Sequence, residues 1–171
     1  MVLDKLSSIK TFIFDIDGVF TKGQVLAQKN GDQSRFFNIK DGFAVQYAIK
    51  QKYNVIIISG GNSEGVKQRL RTLGITEIHM GVSDKKKFLA QLSNQLNLNL
   101  NEALYMGDDY PDLSPMRMCG LKVAPADAAW EVLKESNMIT KAKGGEGAIR
   151  EIIVQVLTIQ DAWQDSNHAV W

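Results

Sequence analysis

Thr11-Phe12-Ile13-Phe14-Asp15-Ile16-Asp17-Gly18 is the stretch on which the fold turns. Its first four residues are β-branched or aromatic and carry no charge, the composition of a short strand buried on both faces. Two carboxylates and a glycine follow at once. Alternation along an extended chain places Asp15 and Asp17 on the same side, one residue apart.

The same grammar recurs downstream. Asn54-Val55-Ile56-Ile57-Ile58 reads as a second buried strand, and Ala103–Met106 and Leu121–Ala124 as shorter ones. Between them helical patterns cover 42–51, 63–73, 85–96, 112–118, 126–135 and 147–160. Gly74 follows the second helix as a natural stop. Strands alternating with helices predict an α/β fold, a parallel sheet covered on both faces. One stretch breaks the pattern: residues 23–28 and 33–39 flank Asn30-Gly31, a strong hairpin signal, so a protruding β-hairpin is expected over about 23–39. There is no linker, repeat or low-complexity tract, and residues 1–171 read as one domain. The polar tail from Asp161 to Trp171 reads as disordered or docked on a partner.

Composition excludes several classes. Formal net charge is +1, so a broad nucleic-acid footprint is not expected. Lys85-Lys86-Lys87 is the densest positive run. Cys119 is the single cysteine, which rules out an internal disulfide, and its apolar setting reads as buried rather than nucleophilic. No apolar run reaches a membrane span and no leader pattern opens the chain, so a cytoplasmic location without membrane partners is expected.

Ligands of α/β sheets collect at the carboxyl ends of the strands. Four polar clusters fall there: Asp15-Ile16-Asp17-Gly18, Ser59-Gly60-Gly61-Asn62, Lys85 at a helix start, and Gly107-Asp108-Asp109-Tyr110-Pro111-Asp112. Each alone reads equally as a turn or cap. A calcium loop is excluded at the first, where Val19 stands at the third ligand position and a strand precedes it. Together the four assemble two carboxylates, a hydroxyl, an amine and three further carboxylates, a coincidence that capping does not explain.

In this order the motifs resemble the haloacid dehalogenase superfamily of phosphohydrolases. The resemblance narrows to the 3-deoxy-D-manno-octulosonate 8-phosphate (KDO 8-phosphate) phosphatases and their nonulosonate 9-phosphate relatives. It rests on Phe14–Thr21, Lys40-Asp41-Gly42, Leu73-Gly74-Ile75, Gly107-Asp108-Asp109 and Gly144–Glu151. It implies a Rossmann-like doubly wound sheet without a separate cap domain, since the intervals 18–58 and 60–107 are consumed by core elements. It also implies a homotetramer assembled through the hairpin, and a small phosphorylated sugar acid as substrate.

The residue types suit that chemistry. A carboxylate nucleophile, Asp15, splits hydrolysis into two displacements. Asp17 can protonate the leaving alcohol and then deprotonate the attacking water. Mg²⁺ prefers hard oxygen ligands. The resemblance implies Asp15 and Asp108 as side-chain ligands and Asp17 through its carbonyl, with Asp109 and Asp112 behind them. Ser59 and Lys85 would hold phosphoryl oxygens. Candidate substrate contacts are Asp41, Gly42, Gly60, Gly61, Asn62, Gly145 and Glu146. KDO 8-phosphate phosphatases usually carry Arg, and nonulosonate phosphatases often Glu, where this chain has Gly61. Rival readings are a phosphatase of another sugar phosphate or a nucleotide, and a non-catalytic assembly module related to acylneuraminate cytidylyltransferases. A response-regulator receiver fits poorly, because there the acidic pair lies far from the phosphorylated residue.

Overall fold

The structure, a computed structural model, describes residues 2–29, 31 and 33–163. The chain begins with α1 (Val2–Ser8), β1 (Thr11–Phe14), β2 (Leu26–Ala27), β3 (Gln33–Ser34), α2 (Ile39–Lys50) and β4 (Asn54–Ile58). It continues through α3 (Glu64–Thr72), β5 (Glu77–His79), α4 (Lys85–Gln95), β6 (Ala103–Met106), α5 (Leu113–Met116) and β7 (Leu121–Ala124). It closes with α6 (Trp130–Glu135), β8 (Met138–Ile139) and α7 (Ala148–Ile159). Six strands form one sheet in the order β5-β4-β1-β6-β7-β8, and every pair in it is parallel.

Strand alternation sorts the core into two layers. Phe12, Phe14, Val55, Ile57, Leu104, Met106, Leu121 and Val123 face α2 and α7 through Ala44, Val45, Ala48, Ile152, Ile153 and Val156. Ile13, Ile56, Ile58, Tyr105 and Ala124 face Leu89 and Leu92 of α4, Met116 of α5 and Val132 of α6. Because both faces are covered, the strands need apolar residues at every position, and β1 and β6 are buried throughout.

The register positions the site. Phe14 lies opposite Ile57 on one side and Met106 on the other, so Asp15 and Gly107 leave the sheet level with Ile58, the last residue of β4. β1 is flanked by β4 and β6, which the chain reaches in opposite directions, and this reversal opens the crevice where ligands bind in such sheets.

The helices start on local signals. Asn38 caps α2, Ser63 caps α3 and Asp84 caps α4, each accepting a backbone N–H. The Asn38 cap starts α2 three residues before the sequence pattern predicts. Pro111 and Pro115 break the helix predicted over 112–118 into a 3₁₀ turn (Tyr110–Asp112) and α5. A turn at Pro125, whose carbonyl accepts the Ala128 N–H, delays α6 to Trp130. The edge strands β5 and β8, three and two residues long, carry too little pattern to be read from sequence, as does α1, whose one buried side chain is Leu6.

The expected hairpin is present in reduced form. β2 and β3 pair antiparallel, Leu26 with Ser34 and Ala27 with Gln33, around Gly31 at φ +88°. Asn30 of the expected turn lies outside the described residues. Among the described residues, only this hairpin intervenes between β1 and α2, and only α3, β5, α4 and a 3₁₀ turn (Leu100–Glu102) between β4 and β6. The start of the tail docks on its own chain. Trp163 packs tilted against Tyr47 with ring centroids 4.6 Å apart, and Tyr47 Oη donates to the Ala162 carbonyl. The rest of the tail, 164–171, lies outside the described residues. Among the described residues no helix is long and apolar enough to cross a membrane.

Candidate active site

A cleft of about 520 Å³ opens at the carboxyl ends of β1, β4 and β6 and gathers Asp15, Asp17, Ser59, Gly60, Gly61, Lys85, Asp108, Asp109 and Asp112. Nine residues spread over about a hundred positions of sequence thus share one small space.

Lys85 is its electrostatic hinge. Its Nζ donates to Asp112 Oδ1 at 2.7 Å and lies 3.0 Å from Asp15 Oδ1, an ion pair without hydrogen-bond alignment. Asp112 is fully engaged: Oδ1 also accepts from Tyr105 Oη at 2.9 Å, and Oδ2 from the Asp108 N–H at 3.2 Å. It therefore fixes the lysine and the 107–109 turn. Gly107 lets that turn close, since a Cβ there would sit 2.3 Å from Asp112 Cβ. Asp109 Oδ1 accepts the Tyr110 N–H and shapes the same turn.

Asp15 and Asp108 behave differently. Both leave a buried Oδ1 without a hydrogen-bond partner. Burial, then Asp112, push the Asp15 carboxyl up to about 6; burial, then Asp15 and Asp112, push Asp108 up to about 8. Carboxylate oxygens of Asp15, Asp108 and Asp112 all lie within 4.8 Å of one another. Crowded acids with unpartnered buried oxygens are what a hard divalent cation satisfies. The residues fit Mg²⁺: Asp108 supplies an oxygen without a hydrogen-bond partner, Asp15 one that meets the Lys85 ammonium, and Asp112 stands behind them. Gly18, at φ +84°, makes room: a Cβ there would lie 1.9 Å from Asp108 Oδ2.

Ser59 is buried, and its Oγ accepts the Gly61 N–H at 3.2 Å, which leaves its O–H to donate into the cleft. Asp17 is held in a bidentate pair by Arg35, whose Nε–H donates to Oδ1 at 2.6 Å and Nη2–H to Oδ2 at 3.1 Å. Asn62 lies on the wall of the adjoining cavity between hairpin and α3 rather than in this cleft.

Four expected substrate contacts have internal partners in the structure. Asp41 is fully buried, and its carboxylate accepts the N–H groups of Gly147 and Arg150 at the start of α7. The N-terminus of α7 is thus occupied by an internal anion. Gly42 packs beneath Arg69 and Leu73. Gly145 donates to the Val19 carbonyl and presses against the Thr21 backbone, so it buttresses the loop after Asp17. Glu146 pairs with Lys22 outside the cleft. Burial pushes the Cys119 thiol up to about 12, consistent with an inert side chain.

Sequence reading missed Arg35 and Tyr105. A phenol inside a fully buried strand needs a partner, and that was the available signal for Tyr105. Nothing in the spacing marks Arg35, whose role depends on how the hairpin folds back.

Comparison with known proteins bears on this site. The model of haloacid dehalogenase-like hydrolases matches residues 74–153. The KDO 8-phosphate phosphatase of Yersinia pestis is 34% identical over 160 residues, 94% of this chain and 86% of that protein. The chain belongs to the haloacid dehalogenase superfamily, in the KDO 8-phosphate phosphatase family. The Escherichia coli K12 phosphatase is likewise 34% identical, over 93% of this chain and 85% of its own. This family member superposes on the Moraxella catarrhalis phosphatase, a complex with magnesium, phosphate and KDO, with TM-score 0.90 and 32% identity over 94% and 92% of the two chains. The cobalt-bound Haemophilus influenzae enzyme gives 0.88 and 32% over 92% of each. Membership places the chain among phosphoric monoester hydrolases, and metal-bound relatives agree with the acidic cluster here.

Proposed function

We propose that this chain hydrolyses a keto-sugar-acid phosphate, KDO 8-phosphate foremost, through a phosphorylated Asp15. One observation carries the reading: a buried carboxylate at the end of the central strand lies 3.0 Å from Lys85, within a knot of acids, with a second carboxylate two residues on.

Asp15 forms a bond to phosphorus as the ester P–O bond breaks. Asp17, whose side chain is 35% exposed where Asp15 is 10%, releases one oxygen from its pair with Arg35 and, protonated there, delivers the proton to the departing alkoxide. It then takes one from the water that cleaves the acyl phosphate, so the net products are alcohol and inorganic phosphate. Lys85 and the Ser59 O–H hold the phosphoryl oxygens while charge shifts between them. Bound Mg²⁺, held by Asp15 and Asp108 side chains and the Asp17 carbonyl, would neutralise the anions that otherwise repel one another. Asp15→Asn is expected to abolish phosphate release with the fold intact by circular dichroism; full activity would sink the nucleophile assignment. A nonulosonate 9-phosphate shares the needed groups, and a substrate panel separates the two.

The hairpin supports an oligomer. Leu26 in β2, Phe36 after β3 and Ile39 at the start of α2 are 57%, 79% and 72% exposed, a large apolar surface to leave in water. A second copy covering them, as in a homotetramer, removes that cost. Sedimentation showing only monomer would remove the idea. A non-catalytic assembly module has no use for the buried Asp15–Lys85–Asp112 system.

A further inference from the structure

We infer that Arg35 is a specificity-determining residue whose guanidinium, at the rim of the phosphate cleft, receives the carboxylate of the sugar-acid substrate. This rests on the reaction proposed above and names the contact that would select its substrate class.

Charge balance raises the need. The residues lining the cleft include five aspartates and one cation, Lys85. Lys85 is committed to Asp15 and Asp112. A substrate carrying a phosphate and a carboxylate therefore meets little positive potential beyond the metal and this lysine. Arg35 is the cation beside them. It arrives from the end of β3, and its side chain is only 5% exposed. It reaches the cleft through Asp17, which it grips and which lines that cleft. Arg35 itself lines, with Arg69, a cavity of about 780 Å³ between the hairpin and the start of α3.

Its donors are not exhausted. A guanidinium carries five N–H groups. Nε and one Nη2 hydrogen serve Asp17, and one Nη1 hydrogen serves the Gln33 carbonyl at 3.1 Å. One N–H on each terminal nitrogen remains to donate to a carboxylate. Gly61 borders this edge. A Cβ there would lie 3.4 Å from Arg35 Nη2 and 3.3 Å from Asp17 Oδ2, so glycine keeps the approach to the guanidinium clear. The pair with Asp17 holds the fork in place, because a long side chain fixed in advance loses less freedom on binding.

The test compares Arg35→Gln and Arg35→Lys with wild type on KDO 8-phosphate and on p-nitrophenyl phosphate, an ester without a carboxylate. The ratio of the two kcat/KM values is expected to fall about 10- to 100-fold in R35Q, chiefly through KM for the sugar-acid ester. R35K, which keeps the charge and loses the fork, should fall less. Free KDO should compete with p-nitrophenyl phosphate in wild type, with its inhibition constant rising in R35Q by a similar factor and that for inorganic phosphate rising less. An unchanged ratio, with both esters slowed alike, would mean that Arg35 acts only by placing Asp17 and would overturn the inference. Should R35Q fail to fold by circular dichroism, R35K and its KDO competition decide the matter. Wild-type turnover of p-nitrophenyl phosphate without KDO 8-phosphate would overturn the substrate class and Arg35's role together; no turnover of either would overturn the reaction itself.

Discussion

Replacing Asp108 by asparagine should stabilise the metal-free protein while destroying its response to magnesium. In the free protein the Asp108 carboxyl is pushed from 3.8 to about 8 by burial and by Asp15 and Asp112. Each unit is worth about 1.4 kcal/mol, so the displacement amounts to about 6 kcal/mol in the limit. Asp108 retains some contact with solvent and shares its repulsion with Asp15, which reduces the usable figure to about 2 kcal/mol. A carboxyl raised on folding contributes fully below its unfolded value and loses that contribution as pH climbs through its folded value. Asp15, raised to about 6, acts in the same direction. Wild type in EDTA should therefore weaken between about pH 4 and pH 8 through these groups. Asp108→Asn removes the larger part of that slope. Thermal melting at pH 8 in EDTA should place the variant about 4–8 °C above wild type. Magnesium should raise the wild-type Tm by linkage and leave the variant where it is. A variant that melts at or below wild type in EDTA, or a wild-type Tm that does not fall from pH 5 to pH 8, would refute the account of the acidic cluster.

Two further substitutions separate scaffold from site. Asp41→Ala leaves the Gly147 and Arg150 N–H groups without their partner and should cost about 2–4 kcal/mol in urea unfolding. Its kcat/KM at low temperature should stay within about threefold of wild type, whereas a substrate contact would show a large rise in KM. Gly18→Ala places a methyl 1.9 Å from Asp108 Oδ2 at a backbone φ of +84°. Titration calorimetry should show magnesium affinity weakened by about tenfold or more, and unchanged affinity would contradict the proposed ligand role of Asp108.

The acidic strand end at Asp15-Ile16-Asp17-Gly18, the strand–helix alternation and the four polar clusters were legible in the sequence alone. They are local: a buried parallel strand must be apolar at every position, and polar residues must collect where it leaves the sheet. Helix starts at Ser63 and Asp84 were legible for the same reason, since a cap is written within a few residues. The short edges β5 and β8 were not, because three- and two-residue strands owe their pairing to the neighbouring strand rather than to their own pattern. Tertiary structure alone decided what each polar group faces. It turned Asp41 from a candidate substrate contact into the buried cap of α7, with Gly147 and Arg150 more than a hundred residues away in sequence. It set Tyr105 beneath Asp112, and folded Arg35 back onto Asp17. Such partnerships depend on which distant groups share one desolvated volume, and no run of neighbouring residues carries that information.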